Sequence, residues 1–290
     1  MQRKGLLMTL GIVVSLMFWN CESNAKSDNV LGVKVPKIEK FVRVTAEEGA
    51  DVFKSADAAS PWRVIWLGED EEDGRVREDV TWSDKKVPKE YTVEKAAEYP
   101  GDCLPLLGEE GDFWKVHIYK DYAPSLEVGY IRKSDAEVVP FEPITADMIQ
   151  NQGKLSPTIL KTEGKYAGLV MDIGSDEAWG EEWIDVGVLV DGMIVSPETS
   201  MVSLMRDDEV KEIEFVYDKH EDVVRMRYPE SMMTEDSEGL GQWFDPAKLT
   251  DTQIEQMLKV LGQKKKTDRV RCECRIPMGD GSRQIFHLKN

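Results

Sequence analysis

Cys103, Cys272 and Cys274, together with His117, His220 and His287, are the residues in which nucleophilic or metal chemistry could reside. A Cys/His hydrolase needs a thiolate beside an imidazole, usually with the cysteine at a helix start. All three cysteines fall instead in segments that read as strands. The Gly279–Ser282 turn would fold the chain back and set His287 across a hairpin from Cys272 or Cys274. That contact is the one specific catalytic expectation, and buried apolar cysteines in ordinary cross-strand packing are the favoured alternative. Zinc would want a C-x₂₋₄-C spacing with paired histidines, which Cys272-Glu273-Cys274 plus His287 does not supply. Asp70 to Asp73, and the group Asp172, Asp176, Glu177, Glu181 and Glu182, are rich in oxygen ligands but follow no EF-hand spacing, so they read as solvated acidic loops. There is no glycine-rich phosphate loop and no G-x-S-x-G elbow. The expectation is a protein with no catalytic residues, no metal and no cofactor.

Aromatic residues offer a different kind of site. Trp62, Trp66, Trp82, Trp114, Tyr122 and Tyr130 crowd the first half of the chain. Most must pack in a core. Trp82, Trp114, Tyr122 and Tyr130 are the candidates for lining a shallow groove, where a ring stacks on a ligand and its polar tip orients it.

The elements that would position these residues follow from local pattern. Phe41 to Val44 alternates as a strand, and Trp62 to Leu67 reads as a second. Cys103 to Tyr119 reads as a short apolar strand, a glycine-flanked acidic turn and an aromatic-led strand; Glu127 to Val139 closes the unit. Pro140, Pro143, Gly153 and Pro157 interrupt periodicity, which places a boundary near 141–150. Beyond it, Tyr166–Ile173, Trp183–Val190, Glu212–Tyr217, Asp222–Tyr228, Arg269–Ile276 and Gln284–Leu288 read as strands. Asp191-Gly192 signals a tight hairpin, and Asp218 to Glu221 a longer one. One helix, 250–261, is well marked. Thr250 caps it, Gln253 completes a capping box, Leu249 staples onto Ile254, and Gly262 stops it.

Composition bounds the rest. The chain has 290 residues and a formal net charge of −18, with 41% hydrophobic residues, enough for a packed core. Such a charge repels phosphate backbones, so nucleic acid is a poor partner. The first residues predict export: Arg3 and Lys4 precede an apolar run from Gly5 to Trp19, too short to span a bilayer, and Ser23-Asn24-Ala25 offers a cleavage site after Ala25. A lipidated Cys21 is the rival reading, disfavoured by the bulk of Phe18-Trp19-Asn20 just before it. Membrane attachment is expected only in that case.

Residues 41–139 resemble the bacterial SH3-like (SH3b) family. The resemblance rests on Val42-Arg43-Val44-Thr45 with Gly49 to Phe53, on Gly101 to Glu109, and on Phe113-Trp114-Lys115-Val116 with Gly129-Tyr130-Ile131 and Ala136 to Val139. It covers about a third of the chain. Two departures stand out: Ala-Asp-Val-Phe-Lys-Ser replaces the family's Asn-Val-Arg-Ser-Gly-Pro, and Trp62 to Ala97 is an insertion that could fill or extend the ligand groove. The resemblance implies a small β-barrel that tethers an exported protein to a cell-wall, peptide or protein ligand. The expected organisation is therefore a signal peptide (1–25), a linker (26–40), an SH3-like domain (41–140) and an α+β domain (150–290), in a mainly β protein located in the periplasm or outside the cell. The alternatives are an envelope hydrolase with its active site in 150–290, and a structural or assembly factor whose domains pack as one unit.

Overall fold

A computed structural model describes residues 31–32, 37–67, 91–95, 97–118, 128–150, 158–176, 180–235, 242–277 and 283–289, with side chains at most of them. The protein is mainly β, with several largely antiparallel sheets and no closed barrel among the described residues. The front part carries β1 (Lys40–Val44), β2 (Ala50–Asp51), β3 (Arg63–Leu67), β4 (Tyr91–Lys95), β5 (Ala97–Glu98), β6 (Cys103–Glu110), β7 (Phe113–His117), β8 (Val128–Arg132) and β9 (Ala136–Pro140). After α1 (Ala146–Gln150) come β10 (Thr158–Leu160), β11 (Leu169–Asp176), β12 (Glu181–Val190), β13 (Met193–Pro197), β14 (Met201–Arg206), β15 (Glu214–Asp218) and β16 (Val223–Tyr228). The chain ends with β17 (Met233–Glu235), β18 (Gln242–Phe244), α2 (Asp251–Leu261), β19 (Arg269–Arg275) and β20 (Arg283–Lys289).

The front sheet runs β8-β7-β6-β1-β9 and is antiparallel throughout. Its central strands bury both faces. Val42, Val44, Leu104, Val116 and Ile131 form one core, closed by Val52 and Trp62 from the loop after β1. On the opposite face Phe41, Cys103 and Val139 join the main core of the rear part. The insertion contributes the β3–β4 ribbon, in which Arg63 pairs with Lys95 and Leu67 with Tyr91.

Gly49 shows how tightly the loop after β1 is held. Its φ is +82°, and a Cβ there would lie 2.4 Å from the Glu98 carbonyl oxygen, so neither the backbone nor the space tolerates a side chain. Gly49→Ala is expected to cost about 2 kcal/mol or more, combining left-handed strain with backbone displacement; chemical denaturation of the purified variant measures it.

The rear sheet has nine strands and forks. β12, ten residues long, pairs along one edge with β11. Its other edge is shared by β14, opposite Glu182–Asp185, and β13, opposite Val188–Val190. One branch continues β13-β19-β20 and the other β14-β16-β15. Gly187 lies at the fork, where a Cβ would come within 2.9 Å of Ile194 Cγ2. The β14–β16 pairing is parallel.

The locally signed elements form as the sequence predicts. Asp191 (φ 48°) and Gly192 (φ 79°) make the tight β12–β13 turn, both left-handed as that turn requires. Thr250 Oγ1 accepts from the Gln253 backbone N–H at 3.3 Å, while Gln253 Oε1 accepts from the Thr250 N–H at 2.9 Å: the capping box of α2. Leu249, Ile254, Met257 and Leu261 are all buried in the main core. Gly262 ends the helix in right-handed geometry (φ −63°), so its left-handed freedom goes unused. Thr250→Ala is expected to lower stability by about 1 kcal/mol, because one of the helix's first N–H groups loses its acceptor; thermal unfolding against Val216→Ala, at an exposed position, measures it.

Candidate functional site

Cys103, Cys272 and Cys274 are buried and free. In β19 the side chains alternate, with Val270, Cys272 and Cys274 pointing into the core and Arg269, Arg271 and Glu273 away from it. Burial pushes the Cys272 and Cys274 thiols up from an ordinary value of 9.0 to about 12. Cys103 is also raised, by burial first, with Arg43 opposing and Asp102 adding to the shift. These are protonated thiols, the reverse of an activated nucleophile.

The expected Cys–His contact does not form. The β19–β20 register sets His287 opposite Arg271, whereas Cys272 faces Phe286 and Cys274 faces Gln284. His287 therefore projects from the other face, where its Nδ1 lies 3.0 Å from Glu198 Oε1. The period of two, invisible without the register, separates the pair. His220 sits in the β15–β16 turn, its backbone N–H donating to Asp218. Of the acidic groups, Asp172 accepts from Thr158 Oγ1 at 2.7 Å; Asp70 to Asp73 and Glu177 lie outside the described residues.

Trp114 and Tyr130 are held by β7 and β8. The register pairs Trp114 with Ile131 and Lys115 with Tyr130, so the two rings occupy opposite faces of the sheet and share no groove. Trp114 packs on the front core, half-buried. Its Nε1–H donates to the Ala136 carbonyl at 3.2 Å, and the Lys133 ammonium lies 4.6 Å above its ring, itself paired with Glu109 at 2.7 Å. Tyr130 is 9% exposed and packs with Phe53 and Phe113, its hydroxyl donating to Glu110 at 3.2 Å. Trp82 and Tyr122, like Cys21, lie outside the described residues.

Folding also gathers a group that no sequence spacing announces. Glu98, Asp102, Cys103, His117 and Gln284 line a cleft of about 150 Å³ where the front sheet meets β20. Glu98 (2% exposed) and His117 (8%) are two of only five buried polar residues among those described. Gln284 Nε2 reaches across the seam to the Cys103 carbonyl at 3.3 Å. Glu98, Cys103, His117 and Gln284 come from β5, β6, β7 and β20, strands of three different sheets, so packing between sheets joins them.

Comparison with family models, with characterised proteins and with solved structures returned no match to this chain.

Proposed function

We propose that this chain is an exported bacterial binding protein whose front half, residues 41–140, is an SH3-like unit recognising a cell-wall fragment, peptide or protein ligand without covalent chemistry. The observation that carries this reading is a pair of backbone hydrogen bonds. Phe53, in the loop after β1, donates to the Tyr130 carbonyl at 2.9 Å and accepts from the Tyr130 N–H at 3.0 Å. Tyr130 is on β8, the far edge of the sheet, while β1 lies between β6 and β9 near the other edge. A loop that leaves β1 and bonds to β8 curls the sheet around the core of Val42, Leu104, Val116 and Ile131. It also covers the backbone groups of an otherwise open edge. The family resemblance implies a small β-barrel; no closed barrel forms among the described residues, and this loop on the far edge is what supports the SH3-like reading.

In this reading Trp114 is the described aromatic placed to meet a ligand, with its ring between the front core and Lys133. This reading takes residues 1–25 as an export signal, with the work done outside the cytoplasm; among the described residues no helix is long and apolar enough to cross a membrane. The test is saturation binding of the exported chain to soluble peptidoglycan fragments and to a peptide library. Saturable binding weakened by Trp114→Ala supports the reading, and no saturable binding to either class refutes it.

A second reading, an assembly factor acting as one rigid body, has its own observation. Phe41 of the front sheet packs edge-on against Phe286 of β20 at 5.3 Å, inside a core shared by the two parts. Extensive apolar packing between parts favours joint rather than independent motion.

A further inference from the structure

A cleft of about 370 Å³ opens between the end of α2, the 262–269 loop and the turn from Pro197 to Ser200, with Leu31 and Gly32 from the segment before β1 completing its lining. That volume lies within the range of small-molecule sites. The charged side chains that line it are Lys264, Lys266 and Arg269, and no acidic residue is among them. The sign matters because the chain carries 55 Asp and Glu against 37 Lys and Arg. The apolar lining includes Leu258 and Leu261 from α2 and Pro197 from the turn. Hydroxyls of Thr199, Ser200 and Thr267 border the same space.

From this arrangement we infer a binding site for a small amphipathic organic anion, a carboxylate carried on a short apolar body. The head would meet Lys264, Lys266 and Arg269, and the body would lie on Leu258, Leu261 and Pro197. The carboxylates that act on Lys264, and the one within the turn, have partners of their own. Asp185, behind Ser200, accepts from the Ser200 hydroxyl at 3.3 Å and is paired with Arg271 at 2.6 Å. Asp222 accepts from the Tyr217 hydroxyl at 2.6 Å and from the Lys265 N–H at 3.1 Å. Glu198, within the turn, is held by His287. Partial burial lowers the Lys264 amine from its ordinary value, with Asp222 and Asp185 opposing; an incoming anion would restore the partner that water supplies. Lys266 is exposed at the rim. Both apolar and cationic walls are needed: cations alone would hold any phosphate, and the apolar wall alone any alkyl chain.

The test uses the full exported chain in isothermal titration with three probes: hexanoate, hexylammonium and inorganic phosphate. Saturable one-to-one binding of hexanoate, at least tenfold tighter than either of the others, is expected. Lys266→Gln is expected to weaken hexanoate several-fold without changing the unfolding midpoint, because the residue is exposed; Lys264→Gln is expected to weaken it about tenfold. Binding of hexylammonium or phosphate as tight as hexanoate overturns the inference, as does the absence of hexanoate binding or indifference to both substitutions. No residue of 41–140 lines this cleft, so its outcome is independent of whether the SH3-like unit binds its ligand.

Discussion

Raising the pH from 9 to 11 is expected to cost this fold about 4–5 kcal/mol, because Cys272 and Cys274 must be buried as neutral thiols. Burial lifts both from 9.0 to about 12. The proton is therefore held more tightly in the folded chain than in the unfolded one. Stability from this source is complete below pH 9 and is lost as pH rises toward 12, since only the unfolded state gains by ionising. Each thiol contributes a slope of roughly 1.4 kcal/mol per pH unit within that window. Tyr228 adds to the loss above pH 10: burial raises its phenol to about 12, and the charge of Glu182 reinforces the shift. A domain of ordinary stability, about 5–15 kcal/mol, would be near its limit by pH 11. Urea unfolding at pH 8, 9.5 and 11 should show the decline, and Cys272→Ala should reduce the slope by about half. A flat profile from pH 8 to 11 would mean that the thiols are wet.

Phe41→Ala is expected to destabilise the protein by about 3–5 kcal/mol, the range for emptying a packed phenylalanine site. Phe41 is fully buried. Its ring meets Phe286 of β20 and Phe141 of the connecting segment edge-to-face, with ring centroids 5.3 Å and 6.5 Å apart. Its neighbours Val42 and Val44 point the other way, into the front core. The substitution therefore empties the seam without removing a side chain from the front core. Unfolding should remain a single transition at a lower midpoint, because the seam is part of one continuous core. The connecting segment supports this: the Glu142 N–H donates to the Arg275 carbonyl at 2.6 Å, and the Ile144 N–H to the Gly192 carbonyl at 2.8 Å. A loss under about 1 kcal/mol, or two separate transitions in the parent protein, would contradict a shared core.

Features written into a few adjacent residues were legible in the sequence. Thr250 and Gln253 specify a helix start through contacts three residues apart, and Asp191-Gly192 specifies a turn through its own backbone preferences. The strands with strict alternation, such as Val223–Tyr228 and Arg269–Arg275, were equally plain. Met201–Arg206 was missed because Met201 and Met205 are exposed, which breaks the apolar cue. Its parallel partner β16 is more than twenty residues away, and no local signal encodes that pairing. The fork at β12 was hidden for the same reason, since one strand edge serving two partners has no sequence signature beyond a glycine at 187.

The site residues divide in the same way. That Cys103, Cys272 and Cys274 behave as buried apolar groups followed from their place in strands. That His287 lies on the opposite face from Cys272, and Trp114 on the opposite face from Tyr130, depends on register. Register is set by turn lengths and by which faces are buried, not by residue type. The gathering of Glu98, Cys103, His117 and Gln284 depends on packing between separate sheets, which no local pattern encodes.

The most direct test is chemical-shift mapping of the isotopically labelled chain titrated with soluble peptidoglycan fragments and candidate peptides. Perturbations that saturate and cluster on β7, β8 and the loop carrying Phe53, with Trp114 among them, are the predicted result. Saturable shifts confined to residues 158–289, or none at all, would contradict the claim that the front half is the part that binds.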